Sequence, residues 1–191
     1  MKLKAMVLAT TIALFAAGAA QAAAGWVGLT GGLSVPTGDF NKGVKTGFNG
    51  GVTGTWPVGT MFGIGADVVY HQFKGKDLPA GDKLTVSPIQ ATVHGSWMPE
   101  MKGSKAMPYL TAGAGVYAVK AKYEAGTTSG FASSDTTVTK FGFNLGGGVS
   151  WKVSDKFAPG IEAKYHNIST EGKSTSFFTV AITLLWSAFG K

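Results

Sequence analysis

The feature that most constrains this chain is a repeated alternation of apolar residues with small or polar ones. After residue 24, no stretch approaches the roughly 18 to 20 continuous apolar residues that a membrane helix requires. Clusters of Gly, Pro, Asp, Asn, Ser and Lys separate the alternating segments. Because successive side chains of a β-strand point to opposite faces, a period of two predicts strands.

Eight segments follow this pattern. The predicted strands are Trp26–Val35, Gly47–Val58, Met61–Phe73, Leu84–Met98, Tyr109–Tyr123, Thr137–Val153, Phe157–Ile168 and Ser176–Ala188. The connections after the odd-numbered strands are mostly longer and polar, whereas those after the second and sixth strands are tight. The connection after the fourth strand, Pro99–Pro108, is longer than this scheme predicts. Alternation of short turns with longer loops is typical of barrels in the outer membrane.

The two faces of the predicted strands differ in polarity. In the last strand, Phe178, Val180 and Ile182 share one face, and Thr179, Ala181 and Thr183 share the other. The third and sixth strands repeat this division. A lipid-facing row and a lumen-facing row have this composition. The sequence therefore predicts an all-β fold, an eight-stranded antiparallel up-and-down transmembrane β-barrel.

The tryptophans lie at the strand ends that an up-and-down barrel brings to one rim. Indole rings favour the membrane interface because they join an apolar body to one N–H group. We therefore predict an aromatic girdle on this rim. Its members are Trp26, Trp56, Trp97, Trp151 and Trp186. The alternative interpretation places these rings in the core of a soluble β-sandwich.

The N-terminal segment has the layout of a secretory signal peptide. Lys2 and Lys4 precede an uncharged, Ala-rich run, and Ala20-Gln21-Ala22 supplies small residues at the expected cleavage site. We predict a signal peptide over residues 1–22 and one barrel domain over residues 23–191, with cleavage after Ala23 or Ala24 as alternatives. A retained membrane helix is the competing interpretation.

The ionisable and sulfur-containing residues exclude several functions. All 17 basic side chains are lysine, and no dense basic tract occurs, which argues against nucleic-acid binding. The sequence contains no cysteine, so neither a disulfide nor a thiolate metal site can form. We predict no cofactor, no metal site and no enzymatic activity.

The lumen-facing positions carry several ionisable residues. An eight-stranded barrel has an interior just wide enough for side chains or one small ligand. Buried charges are costly unless they are paired, so carboxylates and lysines on this face predict a structural or pore-lining polar cluster. Its predicted members are Asp67, His94, Lys140, Asn144, Glu162 and Lys164. Inward glycines leave open the alternative of a narrow water path.

The chain resembles the OmpA/OmpX-type family of eight-stranded outer-membrane β-barrel domains across nearly all of residues 23–191. The segments that carry the resemblance are Gly31–Phe40, the glycine-rich Phe143–Val149 and the closing amphipathic strand. The resemblance implies a location in the cell outer membrane and insertion by the barrel-assembly machinery. Such proteins usually end on an aromatic residue that this machinery recognises, for which Trp186 and Phe189 are both candidates.

Several functions are compatible with such a barrel. We predict a structural or surface-interaction role, with four extracellular loops as the contact surface and outer-membrane lipid and lipopolysaccharide as partners. The loop lysines Lys42, Lys45, Lys74, Lys76 and Lys83 suit anionic headgroups. The alternative is a narrow porin-like channel. A lipid A-modifying enzyme built on His166, Ser169 and Glu171 is the least favoured hypothesis. We expect a monomer.

Overall fold

A computed structural model describes residues 25–126, 132–170 and 173–188. These residues form a closed antiparallel barrel in which each strand pairs with its neighbour in sequence and β1 also pairs with β8. The strands are β1 (Gly25–Thr37), β2 (Gly47–Val58), β3 (Phe62–Lys74), β4 (Lys83–Trp97), β5 (Ala106–Glu124), β6 (Ser134–Trp151), β7 (Phe157–Thr170) and β8 (Lys173–Ala188). The predicted fold class and strand order are thus confirmed.

Most of the connections at one end of the barrel are longer than those at the other, with the β4–β5 and β7–β8 connections as exceptions. The turn between β2 and β3 is tight, with Gly59 at a φ of 75° that glycine adopts without steric cost. The turn between β6 and β7 is also short. Connections between β1 and β2, β3 and β4, and β5 and β6 are longer. We call the end with the tight turns the inner, periplasmic end, and the opposite end the outer end.

The connection between β4 and β5 is shorter than the range Pro99–Pro108 that the sequence assigned to it. It spans residues 98–105, because β5 begins at Ala106 and includes Pro108. Pro108 lies beyond the last residue pair between β4 and β5, which is Trp97 with Leu110. The strand has a neighbour on one side only at that position, so the missing N–H of proline is tolerated there.

The strands at the outer end are also longer than predicted. β7 and β8 continue in register to the pair of Thr170 with Lys173, so only residues 171–172 separate them. The fourth predicted loop is therefore a short connection at the tip of a two-stranded ribbon. Glu171 lies outside the described residues.

The first two outer connections pack against each other. The first contains a short helix, α1 (Phe40–Gly43). Lys45 N donates to Lys74 O at 2.7 Å, and Lys76 N donates to Gly43 O at 2.9 Å. The Lys76 ammonium also donates to the carbonyl and side-chain oxygens of Asn41, at 2.7 and 2.9 Å. These bonds join the two connections into one surface.

The outside of the barrel carries an apolar band. Exposed members of the band include Leu29, Val52, Ile64, Val93, Leu110, Leu145, Ile161 and Ile182. An exposed apolar surface of this extent would be unfavourable in water, so the band is suited to contact with lipid acyl chains. Within the described residues, no helix is long and apolar enough to span a membrane.

Candidate functional site

The interior of the barrel contains a cluster of ionisable side chains centred on Asp67. This side chain is 1% exposed and lies on β3. Its Oδ1 accepts a hydrogen bond from Thr53 at 2.6 Å, and its Oδ2 contacts His94 Nδ1 at 3.1 Å and Lys164 Nζ at 3.3 Å. An ionised carboxylate only accepts hydrogen bonds, so Nδ1 of His94 is the donor. Side chains from three other strands, β2, β4 and β7, thus supply partners for one buried charge.

Lys164 links Asp67 to a second carboxylate, that of Glu162. Its Nζ lies 3.0 Å from Glu162 Oε1, and Tyr109 donates to Glu162 Oε2 at 3.0 Å. His94 Nε2 lies 3.1 Å from Thr55 Oγ1. We call Asp67, His94, Glu162 and Lys164 the ionic cluster. Because each charge has at least one opposite charge or hydrogen-bond partner, the cluster fills the lumen without an isolated buried ion.

A layer of neutral polar and aromatic side chains lies next to the ionic cluster on the outer side. The ring of His166 stacks on Phe177 at a centroid distance of 4.7 Å, and His71 meets the same ring edge-on at 4.9 Å. His71 Nε2 lies 3.1 Å from Gln90 Oε1, and His166 Nδ1 lies 3.1 Å from the Tyr117 hydroxyl. Both imidazoles are therefore held by defined contacts inside the barrel.

An apolar cluster fills the lumen at the outer end. We call Val44, Phe73, Val86, Tyr117, Ile168 and Phe177 the outer apolar cluster. Phe73, Tyr117 and Phe177 are each 0% exposed. The ring of Phe40 in α1 packs edge-on against Phe73 at 5.0 Å. The first outer connection thus folds over the mouth of the barrel and contributes to its closure.

A cavity of about 140 Å³ lies at the inner end, on the other side of the ionic cluster. Its wall includes the apolar side chains of Trp26, Pro57, Met98, Met107 and Leu185. The polar residues Thr111, Ser150, Thr183, His94 and Glu162 also line it. The lumen is therefore open in part at one end and tightly filled at the other.

Most residues of the predicted polar cluster lie in the interior. Asp67, His94 and Lys164 are at most 7% exposed, and Glu162 joins them through Lys164. Asn144 is 1% exposed and pairs in register with His166, one layer nearer the outer end.

Lys140 lies on the predicted lumen face but outside the ionic cluster. It pairs in register with Tyr117 and is half-buried, four residues along β6 from Asn144. At about 3.3 Å per residue, that separation is roughly 13 Å along the strand, so Lys140 belongs to the outer end of the lumen. Alternation correctly predicts the face of a side chain but not the level at which it lies.

The predicted aromatic girdle requires a similar correction. Trp97, Trp151 and Trp186 are 42–43% exposed on the outward face of the inner rim. Trp26 instead lines the inner cavity, because it shares its face with Gly28, Thr30 and the buried Ser34. Trp56 shares a face with the exposed Val52 and Val58, but it is only 8% exposed and its ring packs over Gly25.

The sequence interpretation missed several interior residues. Tyr109 and Thr53 hydrogen-bond to the ionic cluster, and both have the inward parity that could have identified them. Phe73 and Phe177 were missed for a different reason. Apolar residues were assigned to the lipid face, yet these two occupy inward positions at the outer end.

The enzymatic and metal hypotheses have little geometric support. His166 is enclosed in the lumen, where its Nε2 contacts Thr179 Oγ1 at 3.2 Å, whereas Ser169 lies exposed on the opposite face of β7. The two side chains therefore cannot act together. Among residues 25–126, 132–170 and 173–188, no group of three or more His, Cys, Asp or Glu residues could hold a metal ion.

These features define an eight-stranded transmembrane β-barrel with a lipid-facing exterior and a largely filled lumen. The sequence matches the family described as outer membrane protein beta-barrel domain over residues 6–186. The chain belongs to this family and is a protein of the outer membrane.

Several solved structures share this fold. They include Neisserial surface protein A, with a TM-score of 0.60, 15% identity and coverage of 86% of this chain and 97% of that one. Ail, the attachment invasion locus protein of Yersinia pestis, has a TM-score of 0.53, 13% identity and coverage of 88% and 100%. The N-terminal barrel domain of Pseudomonas aeruginosa OprF has a TM-score of 0.51, 9% identity and coverage of 85% and 96%. A comparison with curated proteins finds no significant match.

Proposed function

We propose that this outer-membrane protein acts through its outer surface, as a structural or surface-interaction barrel, and that it is neither a channel nor an enzyme. The outer apolar cluster carries this proposal. A solute path would have to pass Phe73, Tyr117 and Phe177, none of which has measurable exposure. Hydrated ions cross an apolar constriction at high cost, because no polar group replaces their water. The ionic cluster adds a second barrier below it.

The channel alternative rests on the inner cavity and on a small void beside Asp67 and Lys164. That void measures about 20 Å³, little more than a single water molecule needs. A channel would therefore require displacement of both the ionic cluster and the outer apolar cluster.

Planar bilayer recordings distinguish these functions. Protein purified from outer membranes should first show a shift in gel mobility on heating, which indicates a folded barrel. We expect no conductance steps from this material, while an established porin in the same bilayers conducts. Reproducible single-channel steps from the folded barrel would reject the closed-lumen proposal and support the channel.

The outer surface offers a cationic contact area. Lys42 and Lys45 are exposed on the first of the two joined connections, and Lys74 and Lys83 are exposed on the strand ends that flank the second. The hydrogen bond to Asp39, at 2.6 Å, raises the pKa of Lys42, so this ammonium stays charged at neutral pH. We propose that these lysines contact polyanionic sugars, such as the phosphorylated sugars of lipopolysaccharide. The structural relative Ail has been crystallised with the heparin analogue sucrose octasulfate, a property that belongs to Ail.

A binding assay on intact cells tests this contact. Cells that express the barrel should bind fluorescent heparin, and replacing Lys42, Lys45, Lys74 and Lys83 with Ser should remove most of that binding and its salt sensitivity. The matched control replaces four exposed lysines of the inner end with Ser: Lys102, Lys105, Lys152 and Lys156. These residues face the periplasm, so the control should bind normally. Equal binding by both variants would contradict the proposed contact surface.

A further inference from the structure

The inner cavity has features of a ligand site that the surface role leaves unexplained. Its volume of about 140 Å³ is close to that of an engineered apolar cavity, about 150 Å³, that binds benzene. The ionic cluster and the outer apolar cluster lie between the inner cavity and the outer loops. The cavity is therefore separate from the proposed contact surface.

Three of the residues that line this cavity carry a buried hydroxyl without a hydrogen-bond partner among the described residues. They are Thr111, Ser150 and Thr183, which are 2–3% exposed. Buried polar groups are almost always hydrogen-bonded, because leaving one unsatisfied costs the free energy of its desolvation. Three such groups around one cavity indicate that something polar occupies it.

The absence of a side chain at Gly160 brings two of these hydroxyls together. Gly160 pairs in register with Ser150 on one side and Thr183 on the other. A Cβ added at Gly160 would lie 2.6 Å from Ser150 Oγ and 2.8 Å from Thr183 Oγ1. The glycine thus leaves a polar depression in the wall of the cavity.

The charged part of the cavity selects for hydrogen-bond donors. Glu162 lies two residues along β7 from Gly160, and the ionic cluster contains two carboxylates and one lysine. An ionised carboxylate has about four acceptor sites, and Glu162 uses one oxygen for Tyr109 and the other for Lys164. Acceptor capacity therefore remains at Glu162, whereas an anionic head in this position would meet the Glu162 carboxylate.

We propose that the inner cavity is a binding site for a compact molecule with an apolar body and a donor head, either a hydroxyl or an ammonium group. The head contacts Ser150, Thr183 and Glu162. The apolar body lies against Trp26, Met98 and Leu185 at the inner end.

Methionine-methyl NMR on the full chain, expressed in a Gram-negative host and reconstituted in lipid nanodiscs, tests this site. The probes are benzyl alcohol, benzylamine and benzoate, which share one ring but differ in the head. Met98 and Met107 line the cavity, whereas Met61 and Met101 are 43% and 51% exposed on the surface. We expect saturable shifts of the Met98 and Met107 signals with the alcohol or the amine, and little effect of benzoate.

Two variants distinguish binding of a probe in the cavity from partition of that probe into the bilayer. Ser150→Ala combined with Thr183→Val removes two hydroxyls and should weaken binding about tenfold through the loss of two hydrogen bonds. Ser150→Leu should fill the cavity and abolish the shifts. Heat-shifted gel mobility checks that both variants fold. Non-saturable shifts of all four methionines, no shift at Met98 and Met107, or equal binding of benzoate would each overturn the proposal.

Discussion

At the scale of single residues, the ionic cluster depends on Lys164. It is the one lysine that contacts both Asp67 and Glu162 within the described residues, and it is 6% exposed. A buried ion pair adds little net stability, because desolvation offsets much of the attraction between its charges. Loss of one partner is much more costly, because it leaves the other charge buried and uncompensated.

We therefore expect Lys164→Met to lower the free energy of unfolding by about 3 to 5 kcal/mol, measured by denaturant unfolding in detergent micelles. The control Lys152→Met removes an exposed ion pair with Asp155 at 2.9 Å and should change stability little. Adding Asp67→Asn and Glu162→Gln to Lys164→Met should recover much of the loss. A Lys164→Met barrel as stable as the parent would show that the charges are solvated.

At the scale of strands, glycines set how closely neighbouring backbones approach. A Cβ at Gly115 in β5 would lie 2.2 Å from the carbonyl oxygen of Ala91 in β4. Backbone atoms cannot move away as a flexible side chain can. By contrast, a Cβ at Gly95 in β4 would meet no atom within 4 Å.

This difference predicts different outcomes for the same change, glycine to alanine, at the two positions. We expect Gly115→Ala to destabilise the barrel by at least about 1 to 3 kcal/mol through overpacking, and to reduce the fraction of protein with heat-shifted mobility. Gly95→Ala should fold as well as the parent chain. If both variants fold equally well, the close approach of β4 and β5 at Gly115 is relaxed in the membrane.

At the scale of the whole molecule, the faces of the strands fix how the barrel sits in the bilayer. The exposed apolar band lies between an inner rim with Trp97, Trp151 and Trp186 and an outer group of aromatic residues. In the outer group, Tyr165 and Phe178 pack at a centroid distance of 5.0 Å, and Phe48 and Tyr70 at 6.5 Å. Aromatic residues at both edges of the band suit the two membrane interfaces.

Fluorescence quenching tests this arrangement. In variants that keep one tryptophan and replace the others with Phe, brominated lipids should quench Trp97, Trp151 and Trp186 strongly. Trp26 should be quenched much less, because it lines the inner cavity. Equal quenching of Trp26 and Trp97 would return Trp26 to the lipid-facing girdle that the sequence suggested.

Much of the fold was predictable because its main constraint is local. Side-chain alternation depends only on strand geometry, so the number of strands, their order and most boundaries followed from the sequence. The starts of β5 and β8 were less predictable, because each continues through pairing with a neighbouring strand and not through apolar patterning. β5 begins at Ala106 beside β6 at the inner end, and β8 begins at Lys173 beside β7 at the outer end. The signal peptide over residues 1–22 remains a prediction, since it lies outside the described residues, as does Phe189.

The sequence by itself determined which face most side chains occupy, and the same rule, applied at Trp26, would have placed that ring inside. Only the tertiary structure decided which side chains meet. Asp67 and Lys164 are 97 residues apart in the chain, and their contact depends on barrel closure and on the register of every intervening strand pair. The closure of the outer end by Phe73 and Phe177 and the hydroxyl-lined cavity at the inner end likewise require the level of each residue along the barrel axis. The position of a residue along the barrel axis depends on the combined register of all the strand pairs, and no local sequence pattern contains that information.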